Sequence, residues 1–215
     1  MKGWSGGVIV DNYLATWLCG DDMGHQYCQI SGKSDSTEFH NIYWKCVYCF
    51  YKTSILTQTN INYYFFTNLD VPTNVDGFNI KRFMEDVGIK IVKLKYSYAP
   101  PENWCTAWWV ELFEFDILKY CKNIEGNWLI LDADCIMRKS ILPIYSIIEE
   151  DGGINFYAGY GIEDDINGLT LGGEREIYQD VFSETADGLH HRGGELIGIR
   201  SDKIEEMLSI YELLS

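Results

Sequence analysis

Hydrophobic and polar positions along the 215-residue chain form two kinds of segment. Short apolar runs bounded by Gly, Asn or Asp predict strands, and longer stretches with apolar residues every three or four positions predict helices. The pattern predicts strands over residues 7–11, 62–67, 89–94, 127–131, 155–159 and 194–199. It predicts helices over residues 38–56, 78–87, 104–121, 143–150, 174–182 and 203–214, the first of them capped by Ser36 or Thr37.

The order of these elements predicts the class of the fold. Strands alternate with helices, which is typical of a mainly parallel sheet covered by helices on both faces. Loops are predicted at residues 20–36 and 161–173, which are rich in Gly, Asp and other polar residues. Because the length suits one domain, we expect a single α/β domain with a Rossmann-like central sheet.

The composition and net charge of the chain argue against some classes of binding partner. The chain is 47% hydrophobic and 23% charged, as in globular proteins. Asp and Glu number 32 against 17 Lys and Arg, which gives a net charge of −15. A field of this sign repels phosphate backbones and acidic membranes, so it argues against a nucleic-acid or lipid-surface partner. An anionic small substrate would need a compensating charge, and a divalent metal ion would supply it.

The sequence also bears on the cellular compartment. No signal peptide is recognised at the start of the sequence, and no run of 18 apolar residues predicts a transmembrane segment. The seven cysteines are an odd number and are scattered, which favours reduced thiols in the cytoplasm over a disulfide framework. Cys46 and Cys49 lie in an apolar helical segment, and we expect them to pack in the core.

Two carboxylates follow the predicted strand at residues 127–131. In an α/β sheet, ligands bind outside the carboxyl ends of the strands. Asp132 and Asp134 are two positions apart on an extended chain, so both side chains point the same way. Hard oxygen ligands suit Mg²⁺ or Mn²⁺, which share the oxygens of a diphosphate. The pair therefore predicts a metal site, the alternative being a solvated turn.

The residues around this pair resemble a known family. Leu-Ile-Leu-Asp-Ala-Asp at 129–134, followed by Lys-Ser-Ile-Leu-Pro-Ile at 139–144, is similar to the DxD segment of nucleotide-sugar glycosyltransferases of the GT-A fold, and in particular of the glycogenin-like and galactosyltransferase-like group. The resemblance implies one GT-A domain over residues 1–215, with a nucleotide-binding part to about 135 and a donor-sugar and acceptor part from about 136.

The resemblance also implies a function and a set of site residues. The function is metal-dependent transfer of a hexose from a nucleotide diphosphate sugar, with a UDP-sugar favoured, to a hydroxyl of a glycan, lipid-linked glycan or protein. Asp132 would contact the ribose and the Mn²⁺ or Mg²⁺ ion, and Asp134 would be the principal metal ligand. The residues that would cradle the base and ribose are Asn12, Tyr13, Thr67 and Asn68, and those that would line the sugar pocket are Gly193, Gly194 and Glu195.

Two carboxylates are candidates for catalysis. Glu195 would hydrogen-bond the sugar or stabilise a developing oxocarbenium ion, or else pair with Arg192 as a surface residue. Asp164, in the acidic loop that starts at Gly161, would be a general base for the acceptor hydroxyl, or else a solvated loop residue. The His-x-x-Gly-x-x-Lys-Pro-Trp segment from which the family often takes a third metal ligand does not occur in this sequence, which leaves that ligand open.

Two other functions remain open at this point. An apolar strand followed by Asp-x-Asp also occurs in haloacid-dehalogenase-like phosphohydrolases, where the first Asp is a nucleophile. In that class the strand normally stands near the N-terminus, and a Thr or Val usually occupies the position of Ile136. A domain that binds nucleotide sugars without turnover is the second alternative.

Overall fold

The structure of the protein is a computed structural model that describes residues 10–21, 33–98, 109–157, 159–166, 168–185 and 187–214. The strands are β1 (Asn12–Leu18), β2 (Asn62–Thr67), β3 (Lys90–Lys93), β4 (Asn127–Leu131), β5 (Gly153–Tyr157), β6 (Asp165–Ile166), β7 (Leu169–Thr170) and β8 (Arg192–Arg200). The α-helices are α1 (Thr37–Thr57), α2 (Ile80–Asp86), α3 (Phe113–Cys121), α4 (Leu142–Asp151), α5 (Leu171–Phe182) and α6 (Ile204–Leu214). Short 3-10 turns precede α3 (Trp109–Leu112) and α6 (Ser201–Lys203).

Six strands form the central sheet, in the order β3-β2-β1-β4-β8-β5. The pairs β1–β2, β1–β4 and β2–β3 are parallel. Strand β8 is antiparallel to its neighbours β4 and β5. Its carboxyl end lies beside the residues that precede those strands, since Arg200 N donates to Gly152 O at 3.0 Å and Ser201 N donates to Gly126 O at 2.9 Å. The predicted α/β fold with a mainly parallel sheet is confirmed.

Helices cover both faces of this sheet. On one face, the alternate β1 residues Tyr13, Ala15 and Trp17 belong to a hydrophobic cluster with residues of β2, β4, α3 and α6. On the other face, the ring of Trp44 in α1 lies 5.5 Å from that of Phe65 in β2. The Tyr145 hydroxyl of α4 donates to the backbone oxygen of Tyr13 at 3.0 Å. Strands β1, β2 and β4 are thus largely buried on both sides, as their apolar sequences require, whereas the two lysines of the edge strand β3 are exposed.

Element boundaries agree with the sequence in some places and differ in others. Strands β2 and β4 have the predicted bounds, and Ser36 is the N-cap of α1, with Phe39 N donating to its Oγ at 3.2 Å. The first strand is wrongly predicted, since β1 begins at Asn12 where the prediction ended at Asp11. The predicted loop at 161–173 contains the two-stranded pair β6–β7 and the start of α5. Residues 7–9 and 104–108 of the predicted elements lie outside the described residues.

Contacts divide the chain into two compact units. The larger one comprises Met1–Ile154 and Ile197–Ser215, and the smaller one comprises Asn155–Leu196. Inside the smaller unit, the first turn of α5 holds the segment before β8: Arg175 donates to the oxygen of Leu189 at 3.1 and 2.8 Å, and Glu174 pairs with His191 at 2.8 Å. The functional division near residue 135 stays a prediction.

The structure bears on two further predictions. Within the described ranges, no helix has the length and apolar character needed to cross a bilayer. Cys19, Cys46, Cys49, Cys121 and Cys135 are free thiols, whereas Cys28 and Cys105 lie outside the described residues. The expected core position is wrong for Cys49, which is exposed, while Cys46 is half-buried. The cytoplasmic location stays a prediction.

Candidate functional site

A cavity of about 330 Å³ lies at the carboxyl ends of β1 and β4, inside the larger unit. This is the edge of the sheet at which α/β proteins bind ligands. Strands β1 and β4 supply its floor, α1 one wall, and the 3-10 turn before α3 another. The lining residues that the structure describes are Trp17, Leu18, Cys19, Asp21, Ser34, Phe39, Tyr43, Cys46, Val110, Glu111, Asp132, Ala133 and Asp134.

Both carboxylates of the DxD motif lie in this lining. All five residues of β4 are buried, and the chain then emerges from the sheet, so that Asp132 is half-buried and Asp134 exposed, with Ala133 buried between them. A turn in which Cys135 N bonds Asp132 O at 3.2 Å follows directly. The structure thus brings the two carboxylates to one cavity, and their role as metal ligands stays a prediction.

Two further carboxylates adjoin Asp132. Oxygens of Glu111, Glu114 and Asp132 all lie within 4.8 Å of one another. Burial raises the pKa of Glu114 well above its usual value, and the negative charges of Glu111 and Asp132 raise it further. Glu111 and Glu114 were not among the site residues predicted from the sequence, although their spacing of three residues in a predicted helix places both on one face.

Helix α1 contributes an aromatic and thiol wall. Tyr43 packs against Phe39 one turn earlier, with ring centroids 5.0 Å apart. Burial is the main cause that raises the pKa of Tyr43 to about 12, and the charge of Asp134 adds to it. Burial likewise raises the pKa of the Cys46 thiol, again with a contribution from Asp134. Both side chains are therefore neutral at physiological pH.

Side chains at the end of β2 hold the end of β1 in place. The Thr67 hydroxyl donates to Leu18 O at 2.6 Å, and Asn68 pairs with both backbone groups of Gly20, accepting from N at 2.8 Å and donating to O at 2.7 Å. Thr67 and Asn68 lie just where the sequence placed them, at the carboxyl end of β2. The Thr67 hydroxyl also accepts from Leu69 N at 3.0 Å. The nucleotide-binding role of Thr67 and Asn68 stays a prediction.

The segment after the DxD motif is anchored to the end of α1. The buried side chain of Gln58 donates to Lys139 O at 2.9 Å and accepts from Ile141 N at 2.9 Å. The Thr53 hydroxyl accepts from Met137 N at 3.1 Å. These bonds fix the chain on the far side of Asp134 and limit its freedom to move away from the cavity.

Among the lining residues that the structure describes, the side chains charged at neutral pH are all negative. The carboxylates there are Asp21, Glu111, Asp132 and Asp134, and no Lys, Arg or His is among the described lining residues. The hydroxyl of Ser34 donates to Asp21 at 2.6 Å, and both residues are buried. A diphosphate entering this cavity alone would be repelled, whereas a divalent cation would be attracted.

Asn12 and Tyr13 do not belong to this site. They are the first residues of β1, at the opposite end of the sheet from Asp132. Tyr13 is 7% exposed and stacks on Trp128 with ring centroids 4.4 Å apart. The side chain of Asn12 accepts from that of Asn127 at 3.2 Å. The two residues were assigned to nucleotide binding because they were expected to lie just past the end of a strand. That expected position is wrong, since both lie at the start of β1.

The remaining predicted site residues belong to the smaller unit. Glu195 is exposed on β8, where its carboxylate lies against Gly193, and Gly194 between them is also exposed. The carboxylate of Asp164 accepts from Gly161 N at 2.7 Å and so closes a turn. The sugar-binding role of Gly193, Gly194 and Glu195 and the catalytic roles of Glu195 and Asp164 stay predictions.

The two histidines of the smaller unit have described partners there. His190 lies edge-on to Tyr157, with ring centroids 5.3 Å apart, and His191 pairs with Glu174. Each imidazole ring is thus in contact with another residue of the smaller unit.

No family model matches the chain, and no curated protein matches it. Among solved structures, it is similar to a 4-diphosphocytidyl-2C-methyl-D-erythritol synthase, with 12% identity over 95% of this chain and 81% of that one and a TM-score of 0.47. It is also similar to the apo form of the glycosyltransferase GlyE of Streptococcus pneumoniae, with 13% identity over 93% of this chain and 43% of that one and a TM-score of 0.39. Both similarities are too remote to assign the chain to either class of protein.

Proposed function

We propose that the chain is a metal-dependent glycosyltransferase that moves a hexose from a nucleotide diphosphate sugar, with a UDP-sugar favoured, to an acceptor hydroxyl. The observation that carries the proposal is the position of Asp132 and Asp134 in the wall of one cavity at the carboxyl ends of β1 and β4. Carboxylates at this edge of a parallel sheet are suited to a metal ion that carries a diphosphate. The acceptor, a glycan, lipid-linked glycan or protein, is left open.

The donor set of the cavity fits Mn²⁺ or Mg²⁺. Asp132 and Asp134 would hold the ion, and Glu111 and Glu114 offer further carboxylate oxygens next to Asp132. Hard divalent cations prefer such oxygens, and the acidic lining without a described cation needs a positive charge before it can accept a diphosphate. When bound, the ion would neutralise the leaving diphosphate.

The chain's own residues would enclose and orient the donor. Leu18, Phe39 and Val110 give the cavity apolar walls, which exclude water and strengthen electrostatic interactions inside. In the smaller unit, Glu195 with Gly193 and Gly194 is proposed to contact the transferred sugar. Asp164 is proposed to accept the proton of the acceptor hydroxyl as that oxygen attacks the anomeric carbon.

The proposal is tested first by binding. The thermal midpoint is measured with UDP, GDP, CMP and ADP, each with Mn²⁺ and with a chelator. A ligand at about a hundred times its dissociation constant stabilises the folded state by about 2.7 kcal/mol, a rise of about 5 to 10 °C for a chain of this size. We expect a rise with one nucleotide that requires the metal.

Variants then connect the binding to the site. Asp134→Asn should abolish the metal-dependent rise and the transfer activity without lowering the midpoint of the free protein, because Asp134 is exposed and its removal relieves charge repulsion. Asp180→Asn is the matched control, since Asp180 is exposed on α5 and outside the cavity lining. Metal-dependent turnover that survives in Asp134→Asn would refute the assignment.

Other outcomes of the same experiments identify the alternatives. Release of phosphate from simple phosphomonoesters would favour a phosphohydrolase with Asp132 as nucleophile. Binding of a nucleotide sugar without transfer or hydrolysis would identify a non-catalytic binding domain.

A further inference from the structure

Most polar side chains in the described part of the cavity lining are hydrogen-bond acceptors. Four of them are carboxylates, Asp21, Glu111, Asp132 and Asp134, and the Ser34 hydroxyl is already donated to Asp21. Tyr43 brings a phenol to the same lining, and no hydrogen bond joins it to a described residue. A phenol is protonated at neutral pH, so this group adds a hydrogen-bond donor to a described lining whose polar side chains are mainly carboxylates.

Packing fixes the place of this phenol. Its ring lies against Phe39, with centroids 5.0 Å apart, and Phe39 is itself buried. The next residue, Trp44, is buried against Phe65 of β2 and ties this turn of α1 to the sheet. Because the helix and the ring are both held, the hydroxyl is oriented before any ligand arrives, which lowers the entropy lost on binding.

The neighbours of Tyr43 indicate which part of a ligand it would meet. Tyr43 lines the same cavity as Asp132 and Asp134. These are the carboxylates proposed to hold the metal ion, and a diphosphate that binds the ion must lie beside them. An anionic phosphate oxygen and a neutral O–H donor at that place form a charge-assisted hydrogen bond.

We infer that the Tyr43 hydroxyl is a binding residue for the diphosphate of the donor substrate, to which it donates a hydrogen bond next to the metal ion. The inference rests on the proposed function, because it takes the ligand to be a metal-bound nucleoside diphosphate. It assigns to α1 a contribution to substrate binding that the DxD motif alone does not supply.

The test removes the hydroxyl and keeps the ring. Tyr43→Phe retains the packing against Phe39, and we expect it to weaken UDP binding in the presence of Mn²⁺ by about 10-fold, which corresponds to about 1.4 kcal/mol. Calorimetry measures the affinity for UDP, and electron paramagnetic resonance measures the affinity for Mn²⁺ alone. Tyr48→Phe is the matched control, because Tyr48 lies on the same helix with its ring against Phe78 and Phe83.

Each result decides for or against the inference. Weaker UDP binding with unchanged Mn²⁺ affinity, and an equal loss in the ability of inorganic pyrophosphate to displace UDP, support it. Unchanged UDP binding overturns it, and so does a loss of Mn²⁺ affinity, which would make Tyr43 a positioning residue for Asp134. Pyrophosphate that fails to displace UDP from the unaltered protein also overturns it. If the unaltered protein binds no nucleoside diphosphate with Mn²⁺, the proposed function itself fails.

Discussion

Gln58 offers a quantitative test of how the DxD segment is held. Its amide makes two bonds to the backbone of the segment that follows the motif, to Lys139 O and from Ile141 N, each 2.9 Å long. Gln58 is 5% exposed, so Gln58→Ala would leave the Ile141 N–H buried without this partner. With about 1 kcal/mol for each lost bond and up to another 1 kcal/mol for the buried donor, we expect the free energy of unfolding to fall by about 2 to 3 kcal/mol.

The assay is urea unfolding followed by tryptophan fluorescence, with the thermal midpoint as a second measure. The expected loss corresponds to a midpoint lowered by about 4 to 12 °C for a chain of this length. Gln179→Ala is the control, because Gln179 is exposed on α5 and no described contact involves its side chain; it should change stability by less than about 0.5 kcal/mol.

Nucleotide binding by the Gln58→Ala variant is a second measurement. A looser segment would let Asp134 move, so Mn²⁺-dependent nucleotide binding should weaken even at temperatures where Gln58→Ala is fully folded. A loss of stability below about 0.5 kcal/mol, equal to that of Gln179→Ala, would refute the reasoning that these two bonds hold the segment. Normal nucleotide binding in a destabilised variant would separate the structural role of Gln58 from any role in the site.

Two further predictions concern the same unit. Asn68→Ala removes the bonds to Gly20 N and O, 2.8 and 2.7 Å long, and should lower the free energy of unfolding by about 2 kcal/mol in urea titrations; an unchanged unfolding midpoint would contradict this. Burial above all raises the pKa of Tyr13 and Tyr43 to about 12, so above about pH 10 the unfolded chain releases protons that the folded chain retains, and stability should fall as the pH rises towards 12. Tyrosinate absorbance and urea midpoints at about pH 8 and pH 11 measure this, and equal midpoints would contradict it.

The strands that the sequence predicted correctly are those where an apolar run ends clearly at polar residues. Strands β2 and β4 are apolar runs that end at polar residues, Thr67 and Asn68 for β2 and Asp132 for β4, and the sheet buries them as the runs require. Strand β1 was misplaced because the apolar run at residues 8–10 ends at Asp11 and gives a stronger local signal than the true strand. That strand contains Thr16, a polar residue that is completely buried, so its sequence resembles a half-exposed segment.

The site likewise contains residues that the sequence predicted and residues that it did not. Asp132 and Asp134 were found because a buried strand leads straight into them. Glu111 and Glu114 were not, because in a chain with 32 acidic residues two carboxylates on a helix cannot be told from solvated ones until the helix is packed. Tyr43 was missed for a related reason: in an aromatic-rich helix, periodicity shows which residues face inward, but it does not show which of them face a cavity.

The pairing of β1 with β4 has a consequence for the order of events in folding. Asn12 is in register with Asn127, so the floor of the cavity joins parts of the chain more than 100 residues apart. Closing such a long loop is slow and must precede the gain from the contacts that it allows. Before β4 pairs with β1, the carboxylates at residues 132 and 134 have no opposite wall. A rapid-mixing experiment that follows Mn²⁺–nucleotide binding during refolding would therefore record the moment when this long-range pairing is complete.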